Sequence, residues 1–469
     1  MIGHSLADVD PDAVCIDGTA ASVAVYKNPT PSNDWLVTLG PGSGGTFDIC
    51  IGTNYCSKFG SVTIPGMPPP PIKPPANVSL QPVGPQSLDP TENPTFHGFN
   101  HAIVELCDFS LLLGSGNLST EGTGRCPLPG TCCAQPMAFF RGRKILAAAL
   151  KKLASLGMSS ATSVLVTGVT WGGTAVILNI DYIAEQLKTL APNAGKVRGL
   201  PVDAIQPRIT KACQVPGAPT CSPAPWLDDA LFNLDQLAKL TEHASPACLA
   251  RNRANASRCL YASEALPEVN TPLFLLQQLT ATWTMQVLLD GQPDPGSILQ
   301  VQGSVRGPSY NCAQYPDLCN PAIVSQYIVP AQQQVLAAAA NHAGFLHGCY
   351  LGSYLYSGMA DPATGKTRGI WHTIEIGGVT MQQAVAAWWS AGQGDAAAGQ
   401  LYADSVWNAS GVPPNPINQC PSTSTSTDLQ RHPAAVFGPD LHSQHGPPPV
   451  PNYTSRFMTN PSCRCMPWY

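Results

Sequence analysis

Ser163-Val164-Leu165-Val166-Thr167 runs into Gly168-Val169-Thr170-Trp171-Gly172-Gly173, and helical periodicity follows over 174–190. The apolar run predicts a core strand and the periodic stretch a helix. Glycines two places either side of Thr170 give the layout of a G-x-S-x-G nucleophile elbow, with threonine at the central position. Such a corner needs small neighbours because strand and helix backbones approach closely there. A plain strand–turn–helix joined through glycines has the same pattern, so this segment alone leaves both readings open.

Outward from the corner, strands are expected at 14–17, 35–39, 102–106 and 273–277. Helices are expected at 140–156, 330–340 and 380–389. The helix at 140–156 interleaves alanine and leucine with Arg141, Arg143, Lys144, Lys151 and Lys152. Pro330 stands at a tolerated first helical position. Strands alternating with helices predict a mostly parallel sheet covered on both faces. The stretch 64–93 contains Pro68-Pro69-Pro70-Pro71 and reads as an irregular surface insertion. From Pro413 onward Pro, Ser, Thr and Asn dominate, so 413–469 reads as an irregular tail.

Composition narrows the function classes. The 469 residues carry a formal net charge of -5, and 11% are charged. Lys and Arg are too few and too scattered for a nucleic-acid footprint. No apolar run approaches the roughly 18 residues of a membrane helix. Seventeen cysteines without a C-x-x-C pair fit disulfides in an oxidising compartment better than a zinc ribbon or a thioredoxin-type site. Cys50 with Cys56, Cys248 with Cys259, and Cys312 with Cys319 are spaced for local bridges, although spacing does not fix pairing. N-x-S/T tripeptides at Asn77, Asn117, Asn255, Asn408 and Asn452 agree with secretion. Residues 1–11 contain no apolar signal core, which gives the expectation of a signal that this chain lacks.

Several short segments occur in a fixed order. They are Cys15-Ile16-Asp17-Gly18, Asp34-Trp35-Leu36-Val37, Asn93-Pro94-Thr95-Phe96, Cys107-Asp108 and Phe140-Arg141-Gly142. Lys196-Val197-Arg198-Gly199-Leu200 follows the elbow helix, and then Thr271-Pro272-Leu273-Phe274. Together, over roughly residues 14–390, they resemble the pectin acetylesterase family, which includes Notum-type protein deacylases. The resemblance implies a secreted α/β-hydrolase-like protein of the cell wall or matrix, one domain over 12–412. It implies cleavage of carboxylic esters through Ser, Asp and His, without cofactor or metal. Partners expected on this basis are a cell-wall polysaccharide or an acyl ligand.

Followed position by position, the resemblance puts the family's serine on Thr170, with Trp171 replacing the small residue after it. The acid, in a Y-D-x-W-like run anchored on Phe274 and Trp283, falls on Ala281. The base, three residues after a cysteine, falls on Gly352. The oxyanion loop falls on Pro41-Gly42-Ser43-Gly44, so Gly42, Ser43 and Trp171 mark the oxyanion region. An aspartate usual after the Lys196–Leu200 segment falls on Val202, one place before Asp203. None of the three triad positions keeps its family residue. Threonine retains a hydroxyl but is β-branched, and alanine cannot orient an imidazole. Glycine cannot take the hydroxyl proton, and Pro41 has no N–H to offer an oxyanion.

Three readings follow. One is a non-catalytic relative that keeps the cleft for a glycan, acyl group or protein. Another is a weak esterase in which Thr170 works with a relocated base such as His347. The third is a structural matrix glycoprotein whose cleft is filled by Trp171. His347, Asp203 and Asp290 otherwise read as ordinary polar residues near turns. His342, His372, His432, His442 and His445 lack ligand spacing. Trp388-Trp389 reads as packing rather than a sugar platform.

Overall fold

The computed structural model describes residues 1–16, 18–40, 84–119, 137–208, 226–279, 324–348, 358–360, 367–372, 374–392 and 395–406. Nine strands make the central sheet: β1 (Ile2–Ser5), β2 (Ser22–Tyr26), β3 (Asp34–Leu39), β4 (Asn100–Val104), β5 (Ser163–Val169), β6 (Lys196–Val202), β7 (Phe274–Gln278), β8 (Ala343–His347) and β9 (Leu401–Ala403). Their order is β1-β2-β4-β3-β5-β6-β7-β8-β9. From β4 to β9 all neighbours are parallel. Only β1 and β2 run antiparallel at one edge. The fold is α/β-hydrolase-like, as expected.

The principal helices are α1 (Gly142–Ser155), α2 (Trp171–Leu190), α3 (Trp226–Ala238), α4 (Val329–Ala339) and α5 (Met381–Ser390). Alternation along the strands divides the core in two. Val37, Val164 and Val166 face one side with Ile145 and Leu150 of α1 and Val176 and Ile180 of α2. Leu36, Leu165, Leu200, Phe274 and Phe345 face the other, against Val385, Trp388 and Trp389 of α5. Both faces are therefore buried, and the near-continuous apolar runs of the strands follow from that.

The end of α5 explains the Lys196–Leu200 segment. Arg198 donates to the carbonyls of Trp388 and of Ala391, the latter at 2.6 Å, and Lys196 donates to Trp389 O at 3.1 Å. Two cations thus satisfy carbonyls that a helix C-terminus leaves open. Trp388 and Trp389 are buried packing residues, as read from the sequence.

Several expectations need correction. Residues 14–16 form no strand, only a bridge from Val14 to Ala20, because the chain turns at once and Gly18 N bonds back to Cys15 O. The helix after the corner begins at Trp171, not at 174, since the glycines belong to its first turn. The part of the proline-rich stretch that is described is not all surface. Gly84, Pro85, Gln86, Ser87, Glu92 and Asn93 are buried. Asn93 donates to Pro85 O and Ser87 O and holds the segment together, and Gln86 donates to Thr38 Oγ1 at 2.8 Å, which ties it to β3. Residues 64–83 and the tail 413–469 lie outside the described residues. Strands β1, β2, β8 and β9 and helix α3 were not expected. Cys248–Cys259 is bridged as its spacing allowed. Cys15–Cys107 is a further bridge, closing 92 residues. The other two local pairs lie outside the described residues.

Candidate functional site

The strand order diverges between β3 and β5. From β3 the chain proceeds to β4 on one side; from β5 it proceeds through β6 to β9 on the other. In open α/β sheets ligands bind beyond the carboxyl ends of the strands at such a reversal. Thr170 follows β5 at that point.

Its backbone has φ 52° and ψ -115°. Positive φ in a β-branched residue is a genuine outlier. Strain of this kind costs about 1–3 kcal/mol and collects at functional sites. The corner is held on both sides: Thr170 N donates to Val202 O at 2.8 Å, and Thr174 N donates to Thr170 O at 2.9 Å. Thr174 Oγ1 also donates to Ala204 O at 2.9 Å, tying the start of α2 to the segment after β6. A Cβ on Gly168 would strike the Gly172 carbonyl and lie 2.7 Å from Leu39 O. One on Gly172 would strike Leu39 O, and one on Gly173 would lie 2.7 Å from Val202 O. The contacts are backbone on backbone, so all three glycines are required. The segment is an elbow in shape, not merely a strand and helix joined through glycines.

Trp171 is 2% exposed and belongs to the main core cluster that also holds Leu39, Leu106 and Val166. Thr170 itself is half-buried. Gly42, Ser43, Ala281 and Gly352, and also Asp290, lie outside the described residues.

Asp203 caps β6 next to the elbow, with φ 47°. Its oxygens accept from Gln278 N at 2.8 Å and Gln278 Nε2 at 2.9 Å. Both are turned toward the end of β7, so Asp203 clamps two strand ends. Burial pushes its carboxyl up to about 6. Asp108, beyond β4, is likewise buried, bonded to Ser110, and pushed up to about 6. Each of these groups binds more protons folded than unfolded between about pH 4 and pH 6. Stability therefore falls as pH rises through that window. Denaturant midpoints measured at pH 5 and pH 7 are expected to be higher at pH 5, and Asp203→Asn to narrow the difference. Equal slopes in the variant and the parent would refute the assignment.

His347 ends β8 and is buried on the α5 face with Phe345. Val169 is level with Val202, Val202 with Leu276, and Leu276 with Phe345. His347 thus stands three strands from the elbow, about 14 Å laterally at ~4.8 Å per strand. A hydrogen bond spans about 3 Å between heavy atoms. At that offset a histidine on the strand cannot serve Thr170.

The sequence reading missed Glu105. Val104 pairs with Leu39, and Thr38 with Thr167, which brings Glu105 level with Gly40 and Val169 at the carboxyl edge. It is half-buried, and among the described residues its carboxyl makes no hydrogen bond or ion pair. Burial alone pushes it up to about 7. The available signal was a lone acid between the apolar 102–104 run and Leu106. His372 lies elsewhere, with Nε2 3.4 Å from Glu92 Oε2. Among the described residues no three His, Cys, Asp or Glu side chains gather as a metal set.

Comparison with known proteins places this arrangement. A family model described as Pectinacetylesterase matches residues 5–397. Pectin acetylesterase 4 of Arabidopsis thaliana is 25% identical over 285 residues, 60% of this chain and 60% of that protein. The palmitoleoyl-protein carboxylesterase NOTUM of Homo sapiens is 26% identical over 254 residues, 52% of this chain and 46% of that protein. The chain thus spans about 60% or less of the length of these relatives. The Wnt deacylase Notum from Drosophila superposes with a TM-score of 0.62 at 20% identity, covering 90% of this chain and 99% of that one.

Proposed function

Because the chain belongs to the pectin acetylesterase family, we propose that it keeps that family's cleft as a binding site and lacks its ester-cleaving chemistry. The observation that carries this reading is the elbow. Its strained backbone and obligatory glycines stand around Thr170, while the positions to which the resemblance assigns the nucleophile, acid and base hold Thr170, Ala281 and Gly352. A neutral alcohol without a proton acceptor is a poor nucleophile. The 14 Å offset of His347 speaks against its service as a relocated base. The core packing of Trp171 speaks against a structural protein whose cleft that side chain fills.

The ligand class that fits is an acylated carbohydrate or acyl group, by analogy with what the relatives' names say of those proteins. An extracellular or cell-wall setting agrees with the two bridges among the described residues. No helix among the described residues is long and apolar enough to cross a membrane. Asn255 is half-buried, and its Oδ1 accepts from Ser257 Oγ at 2.7 Å, leaving the amide nitrogen for a glycan. Glycosidase treatment of secreted protein is expected to remove mass from the Asn255 peptide; an unmodified peptide throughout would count against a glycoprotein.

The test is calorimetric titration with acetylated pectin fragments alongside acetate detection. Binding without acetate release is expected. Acetate release that disappears in Thr170→Ala would overturn the proposal.

A further inference from the structure

We propose that Glu105 is the polar anchor of the cleft, donating a hydrogen bond to the carbonyl oxygen of a bound acyl ester. The inference rests on the binding reading above and assigns the group that recognises the ligand.

Three observations carry it. Glu105 stands at the carboxyl edge of the sheet at the reversal of strand order, level with Gly40 and Val169 and about 10 Å from Thr170 at two strand spacings. β3 ends beside it, and the residues after Gly40, to which the resemblance assigns the oxyanion loop, begin in sequence with Pro41, which has no N–H to donate. Next, the carboxyl has no partner among the described residues. The other acids near this edge are engaged: Asp203 by Gln278, and Asp404 by Gly348 N at 2.8 Å. Last, among the described residues no cation stands against Glu105, and burial favours its neutral form, which has an O–H to donate. A buried carboxylic acid held neutral to donate to an oxygen is an established device in other enzymes. Position, vacancy of partners and protonation agree on an acceptor atom as the ligand group, and an ester carbonyl fits the cleft of this family.

The experiment uses the full chain with an O-acetylated trigalacturonate and its de-acetylated counterpart. Parent protein is expected to prefer the acetylated probe. Glu105→Leu should weaken that binding by tenfold or more, removing the preference, whereas Glu105→Gln, which retains a donor, should stay within about threefold. With the acetyl carbonyl labelled with ¹³C, its infrared stretch should move to lower frequency on binding to the parent. That measurement needs no variant to fold. Undiminished binding by Glu105→Leu, or an unshifted carbonyl, would overturn the assignment and leave the binding reading standing. Equal losses in Glu105→Gln and Glu105→Leu would identify a carboxylate that takes a cation, which also overturns it. Failure of the parent to bind either probe would instead refute the binding reading itself.

Discussion

Purified protein is expected to hydrolyse a chromogenic acetyl ester, acetylated xylan and acetylated pectin no faster than its Thr170→Ala variant. Thr170→Ser alone is expected to leave that background unchanged. The reason is cooperative. In serine hydrolases the nucleophile, base and acid act as one unit, and losing members costs on the order of 10⁴ to 10⁶ in turnover. Restoring the hydroxyl without an imidazole returns almost nothing. The elbow of this chain is intact in shape, so the backbone is not the obstacle. The combined variant Thr170→Ser, Ala281→Asp, Gly352→His should exceed Thr170→Ser by roughly 100-fold or more, because it supplies the acceptor and its orienting carboxylate together. A gain from Thr170→Ser alone would mean that a base already stands beside the alcohol. Rates with each substrate, normalised to folded protein, decide between these outcomes.

The second large effect is structural. Gly172→Ala is expected to destabilise the chain by upwards of about 3 kcal/mol, at or beyond the usual upper limit for overpacking. Its new methyl would meet the Leu39 carbonyl, part of β3 rather than a side chain free to turn away. Relief would require β3 or α2 to shift within a core where Leu39, Val166 and Trp171 are already packed. Thr170→Gly runs the other way. It removes a β-branched residue from positive φ, worth about 1–3 kcal/mol, against an entropic cost of about 0.5–1 kcal/mol, so a gain of about 1 kcal/mol is expected. Denaturant unfolding of the three proteins checks both signs. A neutral Gly172→Ala would show that the corner is not as tight as its geometry requires. Stabilisation in Thr170→Gly would show that the strained residue persists for a reason other than stability.

The elbow was legible in the sequence because its demands are local. Two backbones approach within a few residues, and only glycine satisfies that contact. The parallel sheet was legible too, from short apolar runs separated by helical periodicity. What escaped depends on distant partners. β8 and β9 carry small or mixed residues, and only the pairing of β8 with β7 and of β9 with β8 makes them strands. The proline-rich 84–93 segment looked like surface because nothing local announces that Gln86 fastens it to β3 while Asn93 ties the segment to itself. Cys15 and Cys107 were visible as resemblance motifs, yet a sequence separation of 92 concealed their bridge. Within the site, Thr170 was located from its glycines. Glu105 was missed because its meaning comes from register: one acid after a strand is ordinary until the sheet order sets it beside the reversal.

The most direct measurement is intact-mass spectrometry after incubation with a fluorophosphonate, which forms a stable bond only with an activated hydroxyl. The account predicts an unmodified parent mass at concentrations that fully label a serine esterase of this family. A stoichiometric adduct mapping to Thr170 would contradict it, since only an alcohol with a working base nearby could form that bond.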